Sequence, residues 1–191
     1  LRSLVGSEMC IRDSHRLAQF NPRGTDVSVV LDLMIHDIDI ILNSINSSIK
    51  HISSSGVSVI SETPDIANAR IEFENGCVAN LTASRVSLKN MRKTRFFQSG
   101  KYISVDFLNR DSQIVEIDEK NSEIPIMTLE TSKGNKKKVY YSKPDISENN
   151  AILDELNSFA FSIKNDKKPK VDIYDGHNAL DVAIRIIKNF K

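Results

Sequence analysis

The sequence predicts an α+β fold: a mostly antiparallel sheet with helices packed on one face. Three observations predict it. Short apolar segments separated by turn residues fill the middle of the chain. One long apolar segment precedes them, and two segments of helical periodicity close the chain. With 191 residues, 40% of them hydrophobic, a core of ordinary size is within reach. Seven Gly and five Pro exclude collagen-like and low-complexity classes.

Taken in order, His15 to Phe20 reads as a short strand and Asn21-Pro22-Arg23-Gly24 as a loop. Thr25 or Asp26 can cap a helix reaching about Ile45. Val27, Val29, Val30, Ile35, Ile38, Ile40 and Ile41 are β-branched, so a buried strand is the alternative, but the segment is long for a strand. Ser53 to Ile60 is the next strand. Ala67, Ala69, Ile71 and Phe73 alternate with polar residues, Asn75-Gly76 follows, and Cys77 to Val86 returns. This is a hairpin signal, with Asn-Gly suited to the two positive φ angles of a type I′ turn. Lys93–Gln98, Lys101–Phe107, Gln113–Ile117 and Val139–Ser142 are further strands, and the polar stretch 118–138 is a surface excursion. Ile152, Leu153, Leu156, Phe159, Ala160 and Ile163 share one helical face. Ala179, Leu180, Val182, Ala183, Ile186, Ile187 and Phe190 repeat the pattern after Asp175-Gly176, which can start that helix.

Composition narrows the function classes. A net charge of +1 argues against a nucleic-acid binder. The most apolar stretch, Val27 to Leu42, is interrupted by Asp32, His36, Asp37 and Asp39, which argues against a membrane segment. Two cysteines, Cys10 and Cys77, build neither a cysteine-rich zinc site nor a disulfide scaffold, and a reduced cytoplasm is the default. The opening LRSLVGSEMCIRDS begins with Leu and shows no periodicity. It resembles translated adapter read-through at the ends of assembled environmental DNA fragments. On that reading residues 1–14 are a sequence scar, residues 15–191 are the domain, and the gene starts further upstream. A frayed natural terminus is the alternative.

One constellation can do chemistry. At 100° per residue, with Asp32 at zero, His36 lies at about 40°, Asp39 at about 340° and Asn43 at about 20°. They form a narrow polar stripe on an otherwise apolar helix. A carboxylate four residues before an imidazole stands beside it, fixes its tautomer and stabilises the imidazolium, as a general acid/base requires. A plain solvent face is the bland alternative, although the stripe lacks Lys, Arg and Glu. A metal site from His36, Asp32 and Asp39 matches no ligand spacing. Arg16 and Arg23 flank the helix start and suit anion recognition. His51 and His177 read as surface residues, Lys133 and Lys136–Lys138 as a solvated loop, and Met34 and Met91 as core. There is no GxSxG, P-loop or GxGxxG.

The stretch HRLAQFNPRGTDVSVVLDLMIHDIDIIL, with its Asp-x-x-x-His element at Asp32 and His36, resembles the segment that opens the C-terminal domain of Gfo/Idh/MocA-family oxidoreductases. FENGCVANLTASRVS resembles the family's sheet hairpin, and ELNSFAFSIKNDKKPKVDIYDGHNALDVAIRI its closing helix, linker and helix. The opening phrase is most similar to members that oxidise the 3-hydroxyl of a UDP-N-acetylhexosamine. The resemblance implies a two-domain enzyme. In it a Rossmann domain, missing here, binds NAD or NADP, and the α+β domain supplies the sugar or sugar-nucleotide pocket and a homo-oligomer interface through its sheet. It implies that His36 is the base and Asp32 its orienter, with Arg16, Arg23 and Asp39 on the substrate. The family's Glu-Lys-Pro segment is also missing, so the chain alone is expected to be inactive. A non-catalytic binding or assembly domain pairing through its sheet is the alternative.

Overall fold

The computed structural model describes residues 10–117, 124–146 and 150–190; residues 1–9 of the stretch read as a scar lie outside them. The elements are strands β1 (Ile11–Leu17), β2 (Ile49–Val57), β3 (Ile66–Phe73), β4 (Val78–Ser84), β5 (Met91–Gln98), β6 (Lys101–Asp106), β7 (Asp111–Ile117), β8 (Met127–Glu130) and β9 (Lys136–Ser142). The helices are α1 (Ile35–Ser44), α2 (Ala151–Lys164) and α3 (Ile173–Lys188), and a π-helical turn, Val30–Met34, leads into α1. The fold is α+β, as the sequence predicts. One sheet has the order β2-β3-β4-β1-β5-β6-β7-β9-β8. All its pairings are antiparallel except β1 with β4.

Period-two alternation decides which face each strand buries. Ala67, Ala69, Ile71 and Phe73 of β3 and Ala79 and Leu81 of β4 turn inward and meet Val30, Met34, Ile38 and Ile41 from the helical segment and Val182, Ala183 and Ile186 from α3. The small side chains of Ala67, Ala69 and Ala79 let the helices settle close to the sheet. α3 is fixed at its end as well. Ser54 Oγ donates to the Ile186 carbonyl at 2.7 Å, and the Phe190 ring lies so close to Gly56 that a Cβ there would sit 2.7 Å from it. Asp172 caps α3 by accepting from Tyr174 and Asp175, and Asp175 returns a bond to the Asp172 N–H. Asp175 is therefore the third residue of a capping box rather than the cap.

Several boundaries differ from the sequence reading. Asn75 does not take a positive φ; Gly76 does, at 83°. Gly76 N–H closes onto the Phe73 carbonyl at 3.0 Å. The turn is thus the type I plus G1-bulge form, and Asn75 instead accepts from Cys77 N–H. β8 falls in the supposed surface excursion. It is an exposed edge strand of four residues, too short for the alternation of Met127 and Leu129 with Thr128 and Glu130 to stand out. The helix expected from Thr25 or Asp26 starts only at Val30, because residues 22–27 are held as a turn and bend. α2 is not a core helix. Ile152, Leu153, Leu156, Phe159, Phe161 and Ile163 are each more than half exposed. Helical periodicity shows that a face is apolar, not that something covers it.

The strand expected at His15 begins at Ile11 and runs between β4 and β5. The boundary at residue 14 therefore falls inside a strand, because backbone pairing on both sides needs no particular side chain. Cys10 and Cys77, brought side by side by the β1–β4 register, form a disulfide with a Cα–Cα separation of 4.6 Å, which departs from the reduced default. One side chain of this segment fits less well than its backbone. Arg12 is 1% exposed, stacks over the Phe96 ring at 4.9 Å, and leaves Nε and Nη1 without hydrogen-bond partners. Burial pushes its pKa down. Arg12→Leu is expected to stabilise the chain by about 1–3 kcal/mol, a Tm increase of roughly 2–12 °C; differential scanning calorimetry of the two proteins checks this.

Candidate functional site

The start of the helical segment is built by its neighbours. Val29 N–H donates to the Pro64 carbonyl at 3.1 Å, and Thr63 Oγ1 donates to the Thr25 carbonyl at 2.8 Å. The first turn is wider than an α-turn, since Ile35 N–H reaches back five residues to the Val30 carbonyl. A step of 100° per residue therefore holds from Ile35 onward and not across Asp32. Within α1, His36, Asp39 and Asn43 do share a face. Asn43 donates to the Asp39 carboxylate at 2.9 Å.

Asp32 and His36 are both exposed. Among the described residues no hydrogen bond joins them. Asp32 instead has Arg85 Nη2 at 3.8 Å. The stripe is open to an approaching reactant, with an imidazole at its centre and carboxylates one turn to either side. Asp39 is half-buried. Burial and the nearby Asp175 raise its pKa, while the Asn43 hydrogen bond and the charge of His36 pull it back. Asp39 also borders a cavity of about 510 Å³ whose other walls include Glu155, Ser158 and Phe159 of α2 and Lys170 of the α2–α3 linker. Among the described residues no three His, Cys, Asp or Glu side chains lie close enough to hold a metal ion.

The two arginines diverge. Arg23 is exposed, in the turn before the helical segment. Arg16 faces inward from β1 and is engaged by Asp37, with Nε to Oδ2 at 2.7 Å and Nη2 to Oδ1 at 3.2 Å. Both partners are buried. Its guanidinium is thus turned away from the open stripe and bolts α1 to the sheet.

Three charged groups escaped the sequence reading: Asp37, Asp65 and Arg85, all buried. A signal existed for two of them. Asp37 is the lone carboxylate off the polar stripe of an apolar helix. Arg85 continues the inward series Ala79, Leu81, Ala83, so it must point at the core. Asp65 sits in a loop between strands, where no periodicity applies.

Residues 10–101 match the family model described as the GFO/IDH/MocA C-terminal domain. Over 102 residues, 53% of this chain and 33% of the relative, the sequence is 41% identical to a UDP-N-acetylglucosamine 3-dehydrogenase from Acidithiobacillus ferrooxidans. A solved structure of the UDP-N-acetylglucosamine 3-dehydrogenase GnnA from that organism superposes with a TM-score of 0.80 at 30% identity, covering 94% of this chain and 54% of that one. Levoglucosan dehydrogenase in complex with NADH shares the fold, with a TM-score of 0.75 at 12% identity over 98% of this chain and 57% of that one. The chain therefore spans between a third and just over half of these relatives' length.

Two measurements test the site's electrostatics. Asp37→Ala, which leaves Arg16 buried and unpaired, is expected to cost about 3–5 kcal/mol in denaturant unfolding, and replacing both partners with apolar residues should recover most of it. For Asp39, a raised pKa means that the folded state holds the proton more tightly than the unfolded chain. Its stabilising effect is complete below the unfolded value of about 3.9 and is lost as pH rises through the folded value. Asp39→Asn is expected to raise Tm at pH 7, with the gain vanishing below about pH 4; melting curves across pH read this directly.

Proposed function

We propose that the chain is the C-terminal, substrate half of a GFO/IDH/MocA-family dehydrogenase that uses NAD(P) to oxidise a hydroxyl of a sugar or sugar nucleotide. The 3-hydroxyl of UDP-N-acetylglucosamine is the reading that the A. ferrooxidans relative supports best. The observation that carries the proposal is His36, an exposed imidazole on a rigid helix with acidic residues a turn away on either side.

In this mechanism His36 accepts the proton of the sugar hydroxyl as the carbon–oxygen double bond forms. The hydrogen on that carbon leaves as hydride, for which NAD(P), when bound, is the acceptor. Asp32 orients the ring and balances the imidazolium. Arg23, exposed beside the helix start, is free to meet a diphosphate, and Asp39 to accept from sugar hydroxyls at the edge of the 510 Å³ cavity. Arg16 acts only indirectly, by holding α1 in place through Asp37.

The described residues suit half of the cofactor's needs. The open stripe can meet a nicotinamide ring, but the positive-φ glycines Gly24, Gly76, Gly100 and Gly134 all lie in turns, and none opens a helix that could cradle a pyrophosphate. The dinucleotide is therefore assigned mainly to an N-terminal domain, and the chain alone is inactive in this reading. The uncovered stripe of α1 and the exposed apolar face of α2 support that division. The sheet face opposite the helices serves homo-oligomer contacts. The enzyme is placed in the cytoplasm, and residues 1–14 are assigned to foreign sequence. The orphaned Arg12 supports that assignment, under which Cys77 is an unpaired thiol.

In the intact enzyme, His36→Ala is expected to lower turnover by roughly 10²- to 10⁴-fold. NAD(P)H formation from UDP-N-acetylglucosamine measures it, and near-normal turnover removes His36 from this role.

A further inference from the structure

Arg85 follows β4 directly and enters the core side of the sheet, with its side chain 5% exposed. Nη1 donates to the Gly24 carbonyl at 2.9 Å, and Nη2 donates to the Val27 carbonyl. These two grips hold the turn from which the helical segment departs. Nη2 also lies 3.8 Å from Asp32 Oδ2, and Nε lies 4.0 Å from Asp65 Oδ1. Asp65 is fully buried. Its Oδ2 accepts from the N–H groups of Val59, Ile60 and Ser61 at 2.8, 2.7 and 2.9 Å. Those bonds outweigh burial and hold its carboxyl well below the usual range. A fixed line of charge thus runs from Asp65 through Arg85 to Asp32, and His36 stands one turn further on.

We propose that Arg85 is a positioning residue for the hydroxyl oxidation, acting through Asp32; this rests on the reading of His36 as base and Asp32 as its orienter. Asp32 is exposed and sits on a widened turn, so nothing on its own element fixes its side chain. Arg85 gives it one immobile cationic neighbour. Asp65 balances the guanidinium, so the trio keeps a net negative charge. Asp32 can then both stay put and stabilise an imidazolium. The two carbonyl grips also set the turn that bears Arg23.

The test compares Arg85→Gln, Arg85→Lys, Asp32→Asn and the pairwise combinations in the intact enzyme, with Tm measured alongside. Arg85→Gln is expected to lower kcat about 10- to 100-fold. Arg85→Lys keeps the charge and loses the two-carbonyl grip, so it should recover most of kcat while melting as low as Arg85→Gln. In the Asp32→Asn background neither change should lower kcat further. Equal kcat losses in both Arg85 variants, tracking Tm, or losses that multiply with Asp32→Asn, overturn the proposal and leave the base assignment intact. Normal kcat in Asp32→Asn overturns the proposal together with the assignment of Asp32. Should Arg85→Gln fail to fold, Arg85→Lys decides: kcat close to the parent's at a lowered Tm supports the proposal, and a kcat loss that persists in the Asp32→Asn background overturns it.

Discussion

The paired bonds between Arg16 and Asp37 hold this structure in register. α1 packs Ile38 and Ile41 on the sheet, and apolar contacts of that kind are not directional. A bidentate guanidinium–carboxylate contact is, because its two parallel bonds fix direction as well as distance. It joins a strand in the middle of the sheet to the first turn of α1. Once Asp37 faces β1, His36 and Asp39 face away from the sheet. The inward arginine thus contributes to chemistry by deciding which side of α1 is open.

Polar constraint continues upstream of α1. The chain enters the helical segment through a turn whose carbonyls are taken by Arg85 and Thr63 rather than by a helical ladder. After that turn the helical segment starts only at Val30, and its first turn opens to the π form. Such turns recur at functional sites because they re-aim a side chain relative to the helix that follows. Here the side chain re-aimed is Asp32, so a local departure from regular geometry sets the spacing between carboxylate and imidazole.

Much of the sheet was legible because period two is a strong signal: Ala67 to Phe73 and its return strand read correctly as a pair with one buried face. The residues of the polar stripe were legible too, although the angle assigned to Asp32 assumed α-geometry. What escaped was long-range polar pairing. Arg16 looks like an anion ligand when read beside Arg23, and only the β1–α1 contact shows that its partner is Asp37, 21 residues later. Arg85 and Asp65 are each unremarkable in one dimension. Their meaning comes from a loop, a strand end and a turn meeting in space. The exposed face of α2 had the opposite fault, a clear pattern that nothing among the described residues covers.

Two arginines on one strand show how far backbone and side chain can be read separately. Arg12 and Arg16 both face inward from β1, flanked by β4 and β5, with the same parallel and antiparallel ladders on either side. The ladder accepts both, since it bonds only peptide groups. The core distinguishes them. Arg16 meets a carboxylate in bidentate geometry, so its burial is compensated and its removal would leave Asp37 unpaired. Arg12 meets an aromatic ring and alanine, and two of its nitrogens have nothing to bond. A ring face offsets part of a cation's desolvation but supplies no acceptor to the N–H groups. A strand slot flanked by good neighbours will therefore order almost any extended segment, and order alone is poor evidence that the segment belongs there. Side-chain satisfaction is the more discriminating criterion. By it, Arg12 stands out on β1: its neighbours Asp13 and Ser14 are engaged by Arg95 and Thr94, and Arg16 by Asp37.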